Sequence, residues 1–85
     1  MNSRTSHRFW EAFARLPADV QAQARKNFRI WQRDPFHPAL HFKEVKPDLW
    51  SVRVTLQYRA LGIRRDEEIR WFWIGSHADY DRLIR

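Results

Sequence analysis

Residues 49–74 read LWSVRVTLQYRALGIRRDEEIRWFWI, and this stretch decides the fold. Its first part alternates apolar and polar residues, which is the period of a half-buried β-strand. The apolar members are Trp50, Val52, Val54 and Leu56, with Ser51, Arg53, Thr55 and Gln57 between them. Turn-forming residues divide the region at Pro47-Asp48, near Gln57 and at Arg65-Asp66-Glu67. The pattern predicts four consecutive strands in an antiparallel meander, the last from Glu68 to Ile74.

Upstream, the apolar period changes to that of helices. Ser6 is a suitable N-cap for a first helix that Pro17 ends. A second helix is predicted from about Asp19 to Gln32, because its apolar residues fall on one face. These residues are Val20, Ala24, Phe28 and Trp31. The two prolines in the segment 34–38 then break the helix.

Downstream, Gly75-Ser76 is predicted to end the last strand, and Ser76 to cap a short terminal helix. The resulting fold class is α+β, with two N-terminal helices packed on one face of a four-stranded antiparallel sheet. We expect the opposite face of the sheet to remain free. Without a repeat or a flexible linker, residues 1–85 are predicted to form a single domain.

The composition indicates a small basic protein with an anionic partner. The 85 residues carry a formal net charge of +6, which favours nucleic acid or an acidic protein. There is no cysteine, so disulfides and thiolate metal sites are excluded. Neither a secretory signal nor a run of about 18 apolar residues is present, which predicts a soluble cytoplasmic protein with no membrane partner.

Cations on the predicted open sheet face are the first candidates for function. Arg53 alternates with apolar residues and should lie there beside Ser51 and Thr55. Arg59 begins the next strand and Lys43 lies on the preceding one. With Arg53, these cations would form a positively charged surface that could bind phosphates. The alternative is a solvated sheet face with surface salt bridges to Glu44 or Asp48, and the residues alone favour it.

Histidines are the second group of candidate functional residues. His77 follows the predicted strand end and has Asp79 and Tyr80 close by, although a lone histidine is usually structural. His37 and His41 have the spacing of a helical metal site, but the neighbouring prolines make that helix implausible. No metal or cofactor is therefore predicted. The cluster Trp50, Trp71, Phe72 and Trp73 is interpreted as core rather than as a base-stacking surface.

Taken together, residues 49–54, 58–62 and 71–80, with Phe13-Ala14-Arg15-Leu16-Pro17 and Asp34-Pro35 upstream, resemble the RelE/ParE toxin superfamily. The order of these segments, over nearly the whole chain, carries the likeness. The resemblance implies helices on one side of a curved sheet and mRNA on the other, often in the ribosomal A site. It assigns the phosphate-steadying arginine of ribonuclease members to Arg59, and His77 matches their C-terminal histidine approximately. Several of these members place a tyrosine directly beside that histidine, whereas Tyr80 comes three residues later.

The predicted activity is that of an endoribonuclease toxin that works without a metal. The ribose 2'-hydroxyl attacks the adjacent phosphate, so the protein must supply a base, positive charge and an acid. Arg59 and Arg53, assisted by Lys43, are assigned to charge stabilisation, His77 is the acid, and Tyr80 stacks on a base or orients the phosphate. Glu44 is a candidate base, although it alternates with Lys43 and the two cannot face the substrate together. Lys43, Glu44 and Lys46 are the predicted RNA-binding residues.

The predicted partners are mRNA and a cognate antitoxin, in a hetero-oligomeric complex. Two alternatives remain open: a gyrase poison of the same fold, and a non-catalytic module that binds RNA or an acidic antitoxin segment. The presence of His77 favours RNA cleavage over gyrase poisoning.

Overall fold

The computed structural model describes residues 1–85 as a five-stranded mixed sheet with three α-helices. In chain order the elements are β1 (Asn2–Thr5), α1 (His7–Ala14), α2 (Ala18–Arg33), a 3-10 turn (Pro38–Leu40), β2 (Lys43–Lys46), β3 (Leu49–Thr55), β4 (Tyr58–Arg65), β5 (Glu68–Ser76) and α3 (His77–Ile84). The strand order across the sheet is β1-β5-β4-β3-β2. No helix has both the length and the apolar character that a membrane crossing requires.

The antiparallel meander β2–β5 confirms the predicted strands and turns, but the predicted count of four strands is wrong. A fifth strand, β1, pairs in parallel with β5 at the edge of the sheet. Its residues are polar and mostly exposed, so it lacks the apolar alternation from which a strand is predicted. Backbone pairing and the bond from Trp71 Nε1 to Ser3 Oγ, at 3.0 Å, hold it in place.

The helices begin close to where the sequence predicts. Ser6 caps α1 by accepting a hydrogen bond from the Phe9 amide at 3.2 Å, and α2 starts directly after Pro17. Both helices pack on one face of the sheet. The predicted end of β5 at Ile74 is two residues early, since Gly75 and Ser76 still pair with β4.

The main core lies between α1, α2 and the sheet. Trp31 is 2% exposed and its ring meets those of Phe42 and Trp71 edge-on at 5.8 and 5.7 Å. Burial of such large rings contributes about 1.5–3 kcal/mol each in a domain this small. Trp71 and Trp50 belong to this core region, which confirms the core interpretation for them.

The second face of the sheet is only partly free, which corrects the sequence-based expectation: α3 covers it over β4 and β5, while Lys43 on β2 is exposed. Ser51 and Leu61 point to this second face, because they alternate with Val52 and Ala60 of the main core. Both are nevertheless buried. The cover is α3, which packs against β4 and β5 and buries Tyr80. The chain turns directly from β5 into α3 with no linker, so the helix is folded back over the sheet that precedes it.

Candidate active site

His77 is fixed at the junction between β5 and α3. Ser76 caps α3 by accepting a hydrogen bond from the Asp79 amide at 3.2 Å. The backbone amide of His77 donates to the Gln57 carbonyl in the β3–β4 turn at 2.7 Å. These two bonds hold the imidazole beside the start of β4.

Arg59 and His77 are in direct contact. The Nε of Arg59 donates to Nδ1 of His77 at 3.1 Å, and the Arg59 Cζ lies 5.6 Å from the centroid of the Tyr80 ring. The rings of His77 and Tyr80 are also 5.6 Å apart, with a 31° tilt. The structure therefore brings together three predicted site residues, called here the Arg59 cluster: Arg59, His77 and Tyr80.

A glycine opposite Arg59 shapes the floor of the cluster. Gly75 is the cross-strand partner of Arg59, and a Cβ placed on it would lie 2.5 Å from Cζ2 of Trp73. The indole of Trp73 thus covers the backbone where any other residue would carry a side chain. Gly75 is needed for this close approach between ring and backbone.

The direction of the Arg59–His77 bond fixes the tautomer of the imidazole. A guanidinium can only donate, so Nδ1 of His77 must carry a lone pair and the proton of the neutral ring lies on Nε2. That second nitrogen is 3.5 Å from Oδ2 of Asp81, one helical turn later. Both ring nitrogens of His77 therefore face groups that match their hydrogen-bonding character.

One donor of Arg59 has no partner. Its Nη1 is buried and makes no hydrogen bond. An unsatisfied buried donor costs about 1–3 kcal/mol, so it needs a physical explanation. A phosphate oxygen is an acceptor that matches a guanidinium well.

Arg53 extends this chemistry across the sheet. It is the cross-strand partner of Arg59, so the two arginines are direct neighbours on β3 and β4. Its Nη1 lies 3.3 Å from Nε2 of His41, at the start of the segment that leads into β2. Lys43 is exposed opposite Ser51, on the same face of the sheet.

Glu44 and Lys46 lie apart from the Arg59 cluster. Glu44 pairs with Trp50, on the other side of β2 from Lys43, and its carboxylate accepts the Asp48 amide in the β2–β3 turn at 3.0 Å. The Nζ of Lys46 is 3.4 Å from the carbonyl of Arg85, at the end of α3. Neither residue is brought to Arg59, whereas Arg53 and Lys43 are on the expected face.

Sequence reasoning missed two neighbours of the arginines. Asp81 is four residues after His77, a spacing that places both on one face of the predicted terminal helix and could have identified it. For His41 the sequence suggests only the spacing of a metal site, and its contact with Arg53 joins residues 12 apart, which no local pattern reveals. No group of three or more His, Asp or Glu side chains is arranged to hold a metal ion.

The fold is similar to those of several toxins of known structure. A RelB-RelE antitoxin-toxin complex from Methanococcus jannaschii is similar in structure, with a TM-score of 0.76 and 10% identity over 96% of this chain and 99% of that one. A YoeB/ParE toxin from Agrobacterium tumefaciens gives a TM-score of 0.70 and 18% identity over 91% and 99% of the two chains. YafQ from E. coli gives 0.74 and 9% identity over 93% and 96%. At these identities the likeness is one of fold.

The sequence comparison supplies the family. No curated protein sequence matches the chain. The family model of the ParE-like toxin domain matches residues 18–82, from the start of α2 into α3, which is well over half of the chain. The protein therefore belongs to the ParE-like toxin family, within the RelE/ParE toxin superfamily.

Proposed function

We propose that this toxin is an endoribonuclease that cleaves mRNA at the Arg59 cluster without a metal. The observation that carries the proposal is the direct contact between the Arg59 guanidinium and the His77 imidazole, whose Nε and Nδ1 atoms lie 3.1 Å apart. Arg59 is half-buried, so a scissile phosphate bound at the accessible edge of its guanidinium would lie next to His77. Arg59 would then bind the same phosphodiester to which His77 transfers a proton.

The chemistry needed is cleavage by the neighbouring ribose hydroxyl. As the 2'-oxygen attacks, charge builds on the non-bridging phosphate oxygens, and a fixed guanidinium stabilises it. Arg59 supplies this charge, and its register partner Arg53 adds a second one. His77 donates a proton to the leaving 5'-oxygen, since an imidazole exchanges protons near neutral pH.

The substrate backbone would follow the exposed cations of the sheet. Lys43 and Arg53 lie on the same face as Arg59, and Lys46 stands at the far end of α3. Each phosphate that these residues neutralise releases bound counterions, so RNA binding should weaken as salt rises. Tyr80 is buried against the guanidinium and the imidazole, which favours a supporting role for its ring.

The proposed protein partner is a cognate antitoxin. Among the structural relatives, RelE of Methanococcus jannaschii and RelE of E. coli were solved as complexes with the antitoxin RelB. On this chain an apolar cleft of about 270 Å³ lies between the helices and the sheet. Exposed Trp10 and Phe28 line it together with Arg25 and Arg29, which suits an acidic segment with an apolar side.

Inducible expression with mapping of new 5' ends on cellular mRNA tests the activity. The unaltered chain should arrest growth and create new ends, while His77→Ala and Arg59→Ala should do neither and still bind antitoxin. If both variants cleaved mRNA as fast as the unaltered chain, the assignment of Arg59 and His77 to the active site would be wrong. Growth arrest without new RNA ends, accompanied by loss of DNA supercoiling, would favour the gyrase-poison alternative.

A further inference from the structure

Four side chains form a line across the sheet, called here the His–Arg row: His41, Arg53, Arg59 and His77. His41 Nε2 lies 3.3 Å from Arg53 Nη1, and Arg59 Nε lies 3.1 Å from His77 Nδ1. Between these contacts, Arg53 and Arg59 are cross-strand partners on β3 and β4. Directly opposed residues of an antiparallel pair have Cβ atoms about 4.5–5.5 Å apart. Two arginines therefore stand side by side with one imidazole at each end.

His41 occupies its place at an energetic cost. Its backbone is left-handed, with φ 46° and ψ 43°, directly after the 3-10 turn. For a residue other than glycine this conformation costs about 1–2 kcal/mol. The side chain is exposed, so packing of the imidazole does not repay this cost. With this backbone, Nε2 of the ring lies 3.3 Å from Nη1 of Arg53.

The bond to Arg53 leaves His41 in the form of a proton acceptor. Because a guanidinium only donates, Nε2 of His41 carries a lone pair and the ring proton lies on Nδ1. A lone pair at this position is what a general base requires. A phosphate that attracted Arg53 would free this nitrogen from its hydrogen bond, beside the arginine that holds the phosphate.

Other candidates for the base are less well placed. Glu44 lies on the opposite side of β2 from Lys43, and its carboxylate caps the β2–β3 turn. Tyr80 is 5% exposed and its ring is packed against Arg59 and His77. The acceptors in contact with the arginine pair are Nε2 of His41 and Nδ1 of His77. Since His77 is assigned the role of acid, His41 is left for the base.

We propose that His41 is the general base of the cleavage reaction, acting opposite His77, an assignment that rests on the proposed function. Nε2 of His41 takes the proton of the 2'-hydroxyl as the bond from O2' to phosphorus forms. When the phosphate draws Arg59 away from Nδ1 of His77, that nitrogen takes up a proton from water, so that the ring becomes an imidazolium. The bond from phosphorus to O5' breaks, and O5' receives a proton from this imidazolium. The products are a 2',3'-cyclic phosphate and a 5'-hydroxyl, and both histidines return to their starting forms by exchange with water.

The first test isolates the imidazole of His41 from its backbone. His41→Asn keeps a residue that tolerates the left-handed region and can accept from Arg53, but it cannot take up a proton. His41→Gly supplies a second variant that favours this backbone. Both should slow single-turnover cleavage about 100-fold or more, the usual loss when an acid or base is removed. His7→Asn is the matched control, since His7 is an exposed histidine on α1, away from the His–Arg row, with Nε2 3.7 Å from Oε1 of Glu11.

The second test separates base from acid. RNA with sulfur in place of the scissile 5'-oxygen has a leaving group that needs no proton. His77→Asn should recover most of its rate on this substrate, whereas His41→Asn should remain slow. Equal recovery of both variants, or cleavage of ordinary RNA by both His41 variants at the unaltered rate, would overturn the assignment while leaving the proposed function intact. Failure of the unaltered chain to cleave free or ribosome-bound RNA would instead refute the proposed function, and this assignment with it.

Discussion

Replacing Arg59 with methionine should separate stability from activity. The change keeps most of the apolar stem and removes the buried Nη1 that has no partner. It also removes the bond to His77 and the contact with the Tyr80 ring.

The opposing contributions can be compared directly. The unsatisfied donor costs about 1–3 kcal/mol, while the bond from the charged guanidinium to His77 contributes about 1.5–3 kcal/mol. The guanidinium over the Tyr80 ring adds about 0.5–1 kcal/mol. At the midpoints of these ranges the two losses exceed the gain by about 1 kcal/mol, so the free energy of unfolding should fall by about 1 kcal/mol. That corresponds to a shift in Tm of less than about 8 °C for a domain of this size.

The same change should nearly abolish RNA cleavage. Loss of one charge-stabilising donor costs about 100-fold to 1000-fold in comparable sites. Thermal melting and single-turnover cleavage on the same sample measure both effects. Arg64→Met is the matched control, because Arg64 lies on the same strand but its guanidinium stacks over Trp50, 4.6 Å from the ring centroid.

A fall in the free energy of unfolding of 3 kcal/mol or more for Arg59→Met would refute this reasoning, because it would mean that Nη1 is satisfied in solution. Equal loss of cleavage in Arg64→Met would show that net charge, rather than the position of Arg59, governs activity.

Further substitutions probe the surroundings of the cluster. Tyr80→Phe should keep the cleavage rate within a few-fold of that of the unaltered chain. Tyr80→Ala should lower the free energy of unfolding by about 3–5 kcal/mol in a urea titration, because the ring is buried. Full inactivity of Tyr80→Phe would show that the hydroxyl is needed. Gly75→Ala should displace Trp73, because a Cβ on residue 75 would approach its ring to 2.5 Å. We expect the protein to be destabilised by about 1–3 kcal/mol, which would lower the Tm and change the Trp fluorescence spectrum. An unchanged Tm would contradict the close approach. Ser51→Ala should raise the urea midpoint, since it removes a buried hydroxyl without a partner at a cost of about 1–3 kcal/mol; a lowered midpoint would indicate an undetected partner for that hydroxyl.

The sequence predicted the elements that have a periodic apolar pattern. The meander β2–β5, the cap at Ser6 and the cap at Ser76 could be read locally, because alternation and capping act over a few residues. β1 could not, because its polar side chains carry no pattern and its stability comes from pairing with a strand over 60 residues away. The cover provided by α3 was missed for a similar reason, since a short helix gives no sign of the sheet face on which it folds back.

The candidate site shows the same division. Alternation correctly places Arg53 and Lys43 on one face, and strand order makes Arg59 a neighbour. The register that aligns Arg53 with Arg59, and the bulge that lets Trp73 face Leu61, depend on tertiary pairing. His41 was therefore visible only once the fold had brought it to Arg53.

Analysis of the RNA ends left by the purified protein tests the central claim most directly. Mass spectrometry of cleaved RNA, with the unaltered chain and with His77→Ala, distinguishes the possible reactions. Cleavage by neighbouring 2'-hydroxyl attack predicts 2',3'-cyclic phosphate and 5'-hydroxyl ends that disappear in the variant. Ends with a 5'-phosphate, or identical products from His77→Ala at the same rate, would contradict a reaction carried out by Arg59 and His77.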